Sequence, residues 1–435
     1  LNQNYYSKIL NRSKESPDLI GCIIINIAHA AQYHQIESEY SFNNHEYIAW
    51  SVIPFPTSSK LDQTRKNKSN DSASSISDFP LVVHSFYKEA YNSYKRQIRF
   101  IHYASPSSDK LDTLINTRKE IPTSRILFHY VGYGYPDPQD GCIFTCEAKN
   151  MPLVQYKIKN IYNNIRSPCF FIFDCNKAGD LGSALLKEIS KQSEAKNNDS
   201  EDVFLICSTN SSDSLPMDLR LPRDFLSSCL LSPVQMSILC HIIRSYTLTD
   251  SCGKDPFLFI KRNFSNFNNN NVDELVDLLH CITDAIASES LSEEVFTKVF
   301  RGDSMVSYLF YNFMLAQYLL YQYNVFPKSY PVMPDTIPLH PLWSEWESII
   351  DVIITSTITP LPSFSNNFFW RVSTIFNSLF NSSNSYTVSR SLRLNNATMS
   401  QAVLTLICHA VFFNMNSKTP TGFKSLETTS TPVIQ

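Results

Sequence analysis

The sequence predicts an α/β sandwich with a mainly parallel sheet, followed by an all-α helical-repeat region of armadillo or HEAT-like solenoid character. Three observations carry this. Two apolar runs, Ile126 to Val131 and Cys169 to Phe173, each break abruptly into a glycine-bearing loop. Strand and helix patterns alternate up to about residue 221. After Pro222 the strand patterns stop and helical ones follow one another.

Taken in order, Leu19 to Ile27 is continuously apolar and reads as a buried first strand, with Trp50 to Ile53 as a short partner. Residues 56–78 are rich in Ser, Lys, Asn and Asp and read as a mobile, disordered insert. Val82, Phe86, Ala90 and Tyr94 recur at helical spacing, Ile98 to Tyr103 reads as another strand, and Ser108 opens a capped helix through Leu111, Leu114 and Ile115.

The stretch from Arg125 to Gly182 organises what surrounds it. Five of the nine glycines fall there: Gly132, Gly134, Gly141, Gly179 and Gly182. The first apolar run ends in Gly132-Tyr133-Gly134-Tyr135-Pro136. The second ends in Asp174-Cys175-Asn176-Lys177-Ala178-Gly179, after which Leu181, Leu185, Leu186 and Ile189 space out as a helix. Ile158 to Ile165 reads as a crossover helix, so the two strands are expected to be parallel and adjacent. Ligand sites of open α/β sheets gather at the carboxyl edge of the strands, and a thiol, Cys175, stands there.

A polar insertion, Lys191 to Asp202, precedes one more strand, Phe204 to Ser208. Helices are then expected at Val234 to Tyr246, Val272 to Ala287, Glu293 to Phe300, Ser304 to Tyr323, Pro341 to Ile354 and Met399 to Phe413. Asn-rich loops at 264–271 and 364–367 separate some of them. Ser292 before Glu293 and Glu294 is a helix start with acids against the positive end of the dipole. The segment from Ser304 to Tyr323 is apolar on nearly every face and should be enclosed by neighbours.

Composition narrows the function classes. A net charge of -3 and the lack of a basic stripe argue against a nucleic-acid binder. Eleven cysteines, odd in number and scattered singly, fit reduced thiols better than a disulfide framework. Cys142 and Cys146 lack a second pair or nearby histidines, so no metal site is expected. The Gly132 and Gly134 loop has no lysine-serine follow-on, so neither a nucleotide nor another cofactor is expected. The longest uncharged apolar runs, Leu19 to Ala31 and Ala402 to Met415, are shorter than the roughly 20 residues of a spanning helix. The chain starts on Leu, which suggests an absent or processed amino terminus.

The segment Phe128 to Pro136, followed by Phe173 to Gly179, resembles the paired signature of the caspase-like N-terminal domain of the Raptor family, regulatory partners of the TOR kinase. Pro222 to Leu230, Ile282 to Ala287, Leu309 to Ala316 and His340 to Trp346 resemble further Raptor segments, in the family's order. The likeness covers about Asp18 to Ser356. It implies a caspase-like domain over 18–221 and a truncated solenoid over 222–435. It also implies a non-catalytic adaptor of TOR complex 1 that binds the TOR kinase and presents substrates bearing a TOR-signalling motif. That motif is implied to dock between the caspase-like domain and the adjoining helices, at residues the likeness does not assign. Rag-type GTPases are implied as further partners. The location implied is cytoplasmic, with peripheral recruitment to lysosomal or vacuolar membranes. The family's later repeats and WD-repeat propeller are missing from the 435 residues.

A caspase-type peptidase needs a thiolate at the end of one strand and an imidazole at the end of its neighbour. Cys175 occupies the nucleophile's place, but the position between Gly132 and Gly134, usually histidine in the family, holds Tyr133. A phenol titrates near 10 and does not activate a thiol as an imidazolium does. Tyr133 and Cys175, with neighbours Gly132, Gly134, Asp174 and Gly179, therefore read as a degenerate dyad. His129 lies inside the strand, about 13 Å from residue 133 by strand rise, and reads as a hydrogen-bonded core histidine. Asp174 would raise the thiol's pKa, and Lys177 reads as a solvated lone lysine rather than a pocket for an acidic substrate. Trp343 and Trp346 read as core packing rather than a peptide ledge. The rival reading is an active caspase- or separase-type cysteine endopeptidase using Cys175, which requires a histidine nitrogen within about 4 Å of the sulfur.

Overall fold

The computed structural model describes residues 22–28, 98–104, 106–120, 122, 124–132, 137–145, 154–196, 202–218, 220–245, 256, 259–260 and 269–358. The features expected at 50–53, 56–78, 82–94, 364–367 and 399–413, and at Tyr133, Gly134 and Cys146, lie outside these residues.

In chain order the elements are β1 (Cys22–Ala28), β2 (Ile98–Ala104), α1 (Ser108–Asp112), α2 (Leu114–Glu120), β3 (Arg125–Val131), β4 (Cys142–Thr145), β5 (Val154–Lys157), α3 (Ile158–Ile165), β6 (Cys169–Asp174), α4 (Ala178–Lys196) and β7 (Val203–Cys207). There follow α5 (Phe225–Leu231), α6 (Pro233–Arg244), α7 (Asn269–Ser290), α8 (Glu293–Phe300), α9 (Ser304–Tyr321), β8 (Lys328–Tyr330), a 3-10 turn (Ile337–Leu339) and α10 (Leu342–Ile358).

Six strands form one sheet in the order β2-β1-β3-β6-β7-β8. Every pairing is parallel except β7 with β8. Parallel strands need cover on both faces, and the side-chain alternation supplies two apolar sets. Leu127, Val131, Phe170, Ile172, Phe204 and Ile206 share one core with the helices after residue 222. Ile126, Phe128, Tyr130, Phe171, Phe173 and Leu205 share the other with residues of α1 to α4. Phe310 of α9 joins helices to sheet, its ring 5.7 Å from Phe170 and 6.0 Å from Phe204. As its all-round apolar sequence requires, α9 is enclosed from Leu309 to Leu320 except at Tyr311. Its first turn is capped by the Asp303 side chain, which accepts from Met305 and Val306, while Ser292 caps α8.

A buried guanidinium holds the amino edge of the sheet. Arg118 donates to the carbonyls of Ser124 at 2.7 Å, Arg166 at 2.9 Å, Pro168 at 2.8 Å and Pro122 at 3.5 Å, and to that of Ile165. One side chain thus ties the entries of β3 and β6 to the end of α3.

Several expectations are corrected. The helix at Ser108 starts there, but Ser107 is its N-cap without a side-chain bond, and Thr113 divides it into α1 and α2. The Thr113 hydroxyl bonds back to the Lys110 carbonyl at 2.6 Å, a local alternative to the helical pattern. Between β3 and α3 the chain forms the hairpin of β4 and β5, four residues each, too short for a periodic signal. The polar stretch from Lys191 begins as the last turns of α4, because its exposed face needs no apolar residues. Strands also do not end at 222: the three-residue β8 completes the sheet edge against β7. One apolar core is shared by the sheet and the helices after residue 222. Among the described residues no helix is long and apolar enough to cross a membrane.

Candidate functional site: a sealed thiol at the carboxyl edge

The register between β3 and β6 sets Val131 opposite Asp174, and the Gly132 amide donates to the Asp174 carbonyl at 2.9 Å. The two signature loops therefore leave the sheet side by side, as expected. A β-carbon on Gly132 would lie 2.5 Å from the Tyr130 ring, so the loop must pass under that ring without a side chain.

Alternation then separates the groups that a peptidase would need together. Cys175 belongs to the core with Phe173 and Cys207, and is 1% exposed. His129 and Asp174 lie on the opposite face. There His129 Nε2 meets Ser227 Oγ at 2.8 Å, and Ser227 donates from Oγ at 2.6 Å and from its amide at 2.8 Å to Asp174 Oδ2. Because that hydroxyl proton goes to Asp174, Ser227 Oγ accepts from Nε2–H. The serine sits between histidine and carboxylate, the reverse of a hydrolase triad, where the imidazole is in the middle. Burial holds His129 neutral, lowering its pKa from 6.5 to about 3.

A second loop closes over Cys175. The Cys175 amide donates to Ser208 Oγ at 3.1 Å, and the Ser208 and Thr209 hydroxyls donate back to its carbonyl at 2.9 and 3.3 Å. Ala178 donates to Thr209 Oγ1, Lys177 to the Asp213 carbonyl, and Leu215 to Asn176 Oδ1. Gly179 allows this interlock, since a β-carbon there would come within 2.7 Å of the backbone of Asn210 and Ser211. Burial drives the Cys175 thiol well above its ordinary pKa, and Asp174, Cys207 and Asp137 act in the same direction.

Lys177 is paired, not alone: its Nζ lies 2.9 Å from Asp137, joining the two signature loops through a partly exposed contact. Trp343 and Trp346 are 2% and 1% exposed and lie in the helical core. The partners Ser208, Thr209 and Asp213 carry no motif, and Ser227, although inside the segment Pro222 to Leu230, was given no role by the sequence.

One measurable consequence is an order of reactivity. Cys281 on α7 is partly exposed, whereas Cys142, Cys169, Cys175, Cys207, Cys229 and Cys240 are buried. Iodoacetamide under native conditions is expected to modify Cys281 well before Cys175, followed by peptide mass mapping. A folded chain in which Cys175 reacts first would restore the peptidase reading.

A mainly parallel six-stranded sheet covered on both faces, with a thiol at its carboxyl edge beside Gly132, defines the class: a caspase-like α/β domain. Residues 52–185 match the family described as the Raptor N-terminal CASPase like domain. That part of the chain is thus similar to the caspase-like domain of the Raptor family.

Among similar proteins, the Saccharomyces cerevisiae target of rapamycin complex 1 subunit KOG1 is 30% identical over 305 residues, which is 62% of this chain and 20% of that protein. The rice regulatory-associated protein of TOR 2 is 28% identical over 281 residues, 63% of this chain and 20% of its own. The crystal structure of Chaetomium thermophilum Raptor shares the fold, with a TM-score of 0.65 and 21% identity over 90% of this chain and 34% of that one. The chain spans about a fifth of the length of these curated relatives.

Proposed function

We propose that this chain is a non-catalytic adaptor of a TOR complex 1, one that binds the TOR kinase and presents substrates carrying a TOR-signalling motif. The relatives' names, target of rapamycin complex 1 subunit and regulatory-associated protein of TOR, support the assembly. The observation that carries the non-catalytic reading is the separation of groups: Cys175 is sealed on one face of the sheet and His129 is hydrogen-bonded on the other.

In this reading Tyr133 and Cys175 are a degenerate dyad, with neighbours Gly132, Gly134, Asp174 and Gly179. A caspase-like part over 18–221 and helices over 222–435 act together as the scaffold. Rag-type GTPases are further partners, and the chain works in the cytoplasm with peripheral recruitment to lysosomal or vacuolar membranes.

The test is co-purification of the tagged, full chain from cell extract. A large phosphatidylinositol-kinase-like protein is expected in the eluate, and the purified chain is expected to leave peptide substrates intact. Recovery of no such kinase with soluble, folded bait would count against the adaptor. Peptide cleavage abolished by Cys175→Ala would establish the endopeptidase instead.

A further inference from the structure

Gln317 on α9 is 2% exposed, and among the described residues its side-chain oxygen Oε1 meets no donor. A buried amide oxygen left unpaired is costly to the fold and calls for a use outside it. The residue lines a notch at the carboxyl end of α9, together with Tyr321, Phe326, Pro327, Asp335 and Pro338. The notch encloses about 200 Å³ even with the solvent at its mouth counted. That is below the roughly 300–1,000 Å³ of pockets that hold metabolites or cofactors. It has room for one side chain of a peptide.

The walls select the chemistry of that side chain. The rings of Tyr321 and Phe326 meet edge to face, with centroids 5.9 Å apart at 81°, and Phe326 is exposed. Two of the polar groups are acceptors, Gln317 Oε1 and the Asp335 carboxylate. Tyr321 is the last residue of α9, so the negative end of the helix dipole also faces this region. Lys328 Nζ lies 3.1 Å from Asp335, but both side chains are exposed, and such a pair is weak and readily exchanged. The Phe326 amide donates to Asp213 Oδ2 at 3.0 Å, which ties this wall to the loop that seals Cys175. Aromatic faces, an unpaired acceptor, a carboxylate and a negative helix end together suit a flat cation. A guanidinium answers them better than an ammonium, because it stacks on rings and donates to two acceptors at once.

We infer that this notch docks an arginine side chain from an extended segment of a partner protein, its guanidinium donating to Gln317 Oε1 and Asp335 and lying against Phe326. Lys328 competes with it for the carboxylate. This chemistry holds whether or not the chain binds a TOR kinase.

The probe is N-acetyl-arginine amide, titrated into the full chain and followed by the methyl NMR signals of Val325, which also lines the notch. A saturable shift in the millimolar range is expected, and the uncharged analogue N-acetyl-citrulline amide should bind about tenfold more weakly. Gln317→Leu is expected to weaken arginine binding about tenfold while its urea midpoint stays level or rises, since it removes an acceptor that the fold does not use. Asp335→Asn should weaken binding about threefold, and Lys328→Gln, which frees the carboxylate, should strengthen it about threefold. Equal binding of the two amides would overturn the inference, as would a chain that binds neither because its own residues fill the notch. So would a Gln317→Leu chain less stable than the parent, whose amide would then be serving the fold. Val325 signals that move on dilution of the chain alone would put a second copy in the notch and overturn it too.

Discussion

Replacing Arg118 by methionine is expected to destabilise the fold by about 3–5 kcal/mol, since several carbonyls lose a donor at roughly 1–3 kcal/mol each. Methionine fills much of the space but donates nothing, and carbonyls of Ser124, Arg166 and Pro168, each within 2.9 Å of the guanidinium, lose a donor together. The effect should be large because those carbonyls mark the start of two central strands and the end of α3, so relaxation at one disturbs the others. Arg118→Lys should recover only part of the loss, since an ammonium has three donors and no planar fork. Urea midpoints of the three proteins measure it, and a methionine variant within about 1 kcal/mol of the parent would show that the guanidinium is dispensable.

Truncating Trp346 to alanine is expected to cost about 3–5 kcal/mol, the range for a large aromatic leaving a filled core. Its indole donates to Ser237 Oγ at 3.0 Å and so clamps α10 to α6. Three residues before it, Trp343 lies 4.6 Å from Tyr318 at 9° and donates to the Ile337 carbonyl. The same polar seam carries Glu347, which receives Arg244 and Tyr318 and meets His241. Burial alone would raise its carboxyl, yet the bonds from His241 and Arg244 hold it near about 2. That lowered value stabilises the seam above the ordinary 4.5 and is lost as pH falls toward about 2. Hydrogen exchange of α10 should therefore rise in Trp346→Ala. Normal protection with lost partner binding would mean that the tryptophan is a docking ledge after all.

What could be seen in the sequence was whatever rests on local pattern. β3, β6 and β7 are unbroken apolar runs, and α3 has an amphipathic face, so they stand close to where periodicity puts them. His129 read as an interior residue because it stands inside an apolar run, and it is 0% exposed. The sealing of the thiol was not legible. Ser208 lies 33 residues beyond Cys175, and Ser227 lies 53 beyond Asp174 and 98 beyond His129, and serines at such separations leave no periodic trace. The short strands β4, β5 and β8 escaped for a related reason: three or four residues borrow their conformation from the partner strand rather than from their own propensity.

The last strand has a practical corollary for anyone mapping this protein by deletion. A fragment stopped at the apparent boundary after residue 221 would be missing β8, which hydrogen-bonds Leu205 to Cys207, and every helix that hides Phe170 and Phe204. Such a piece would be sticky, and its failure to capture a partner would report exposed grease rather than a missing epitope.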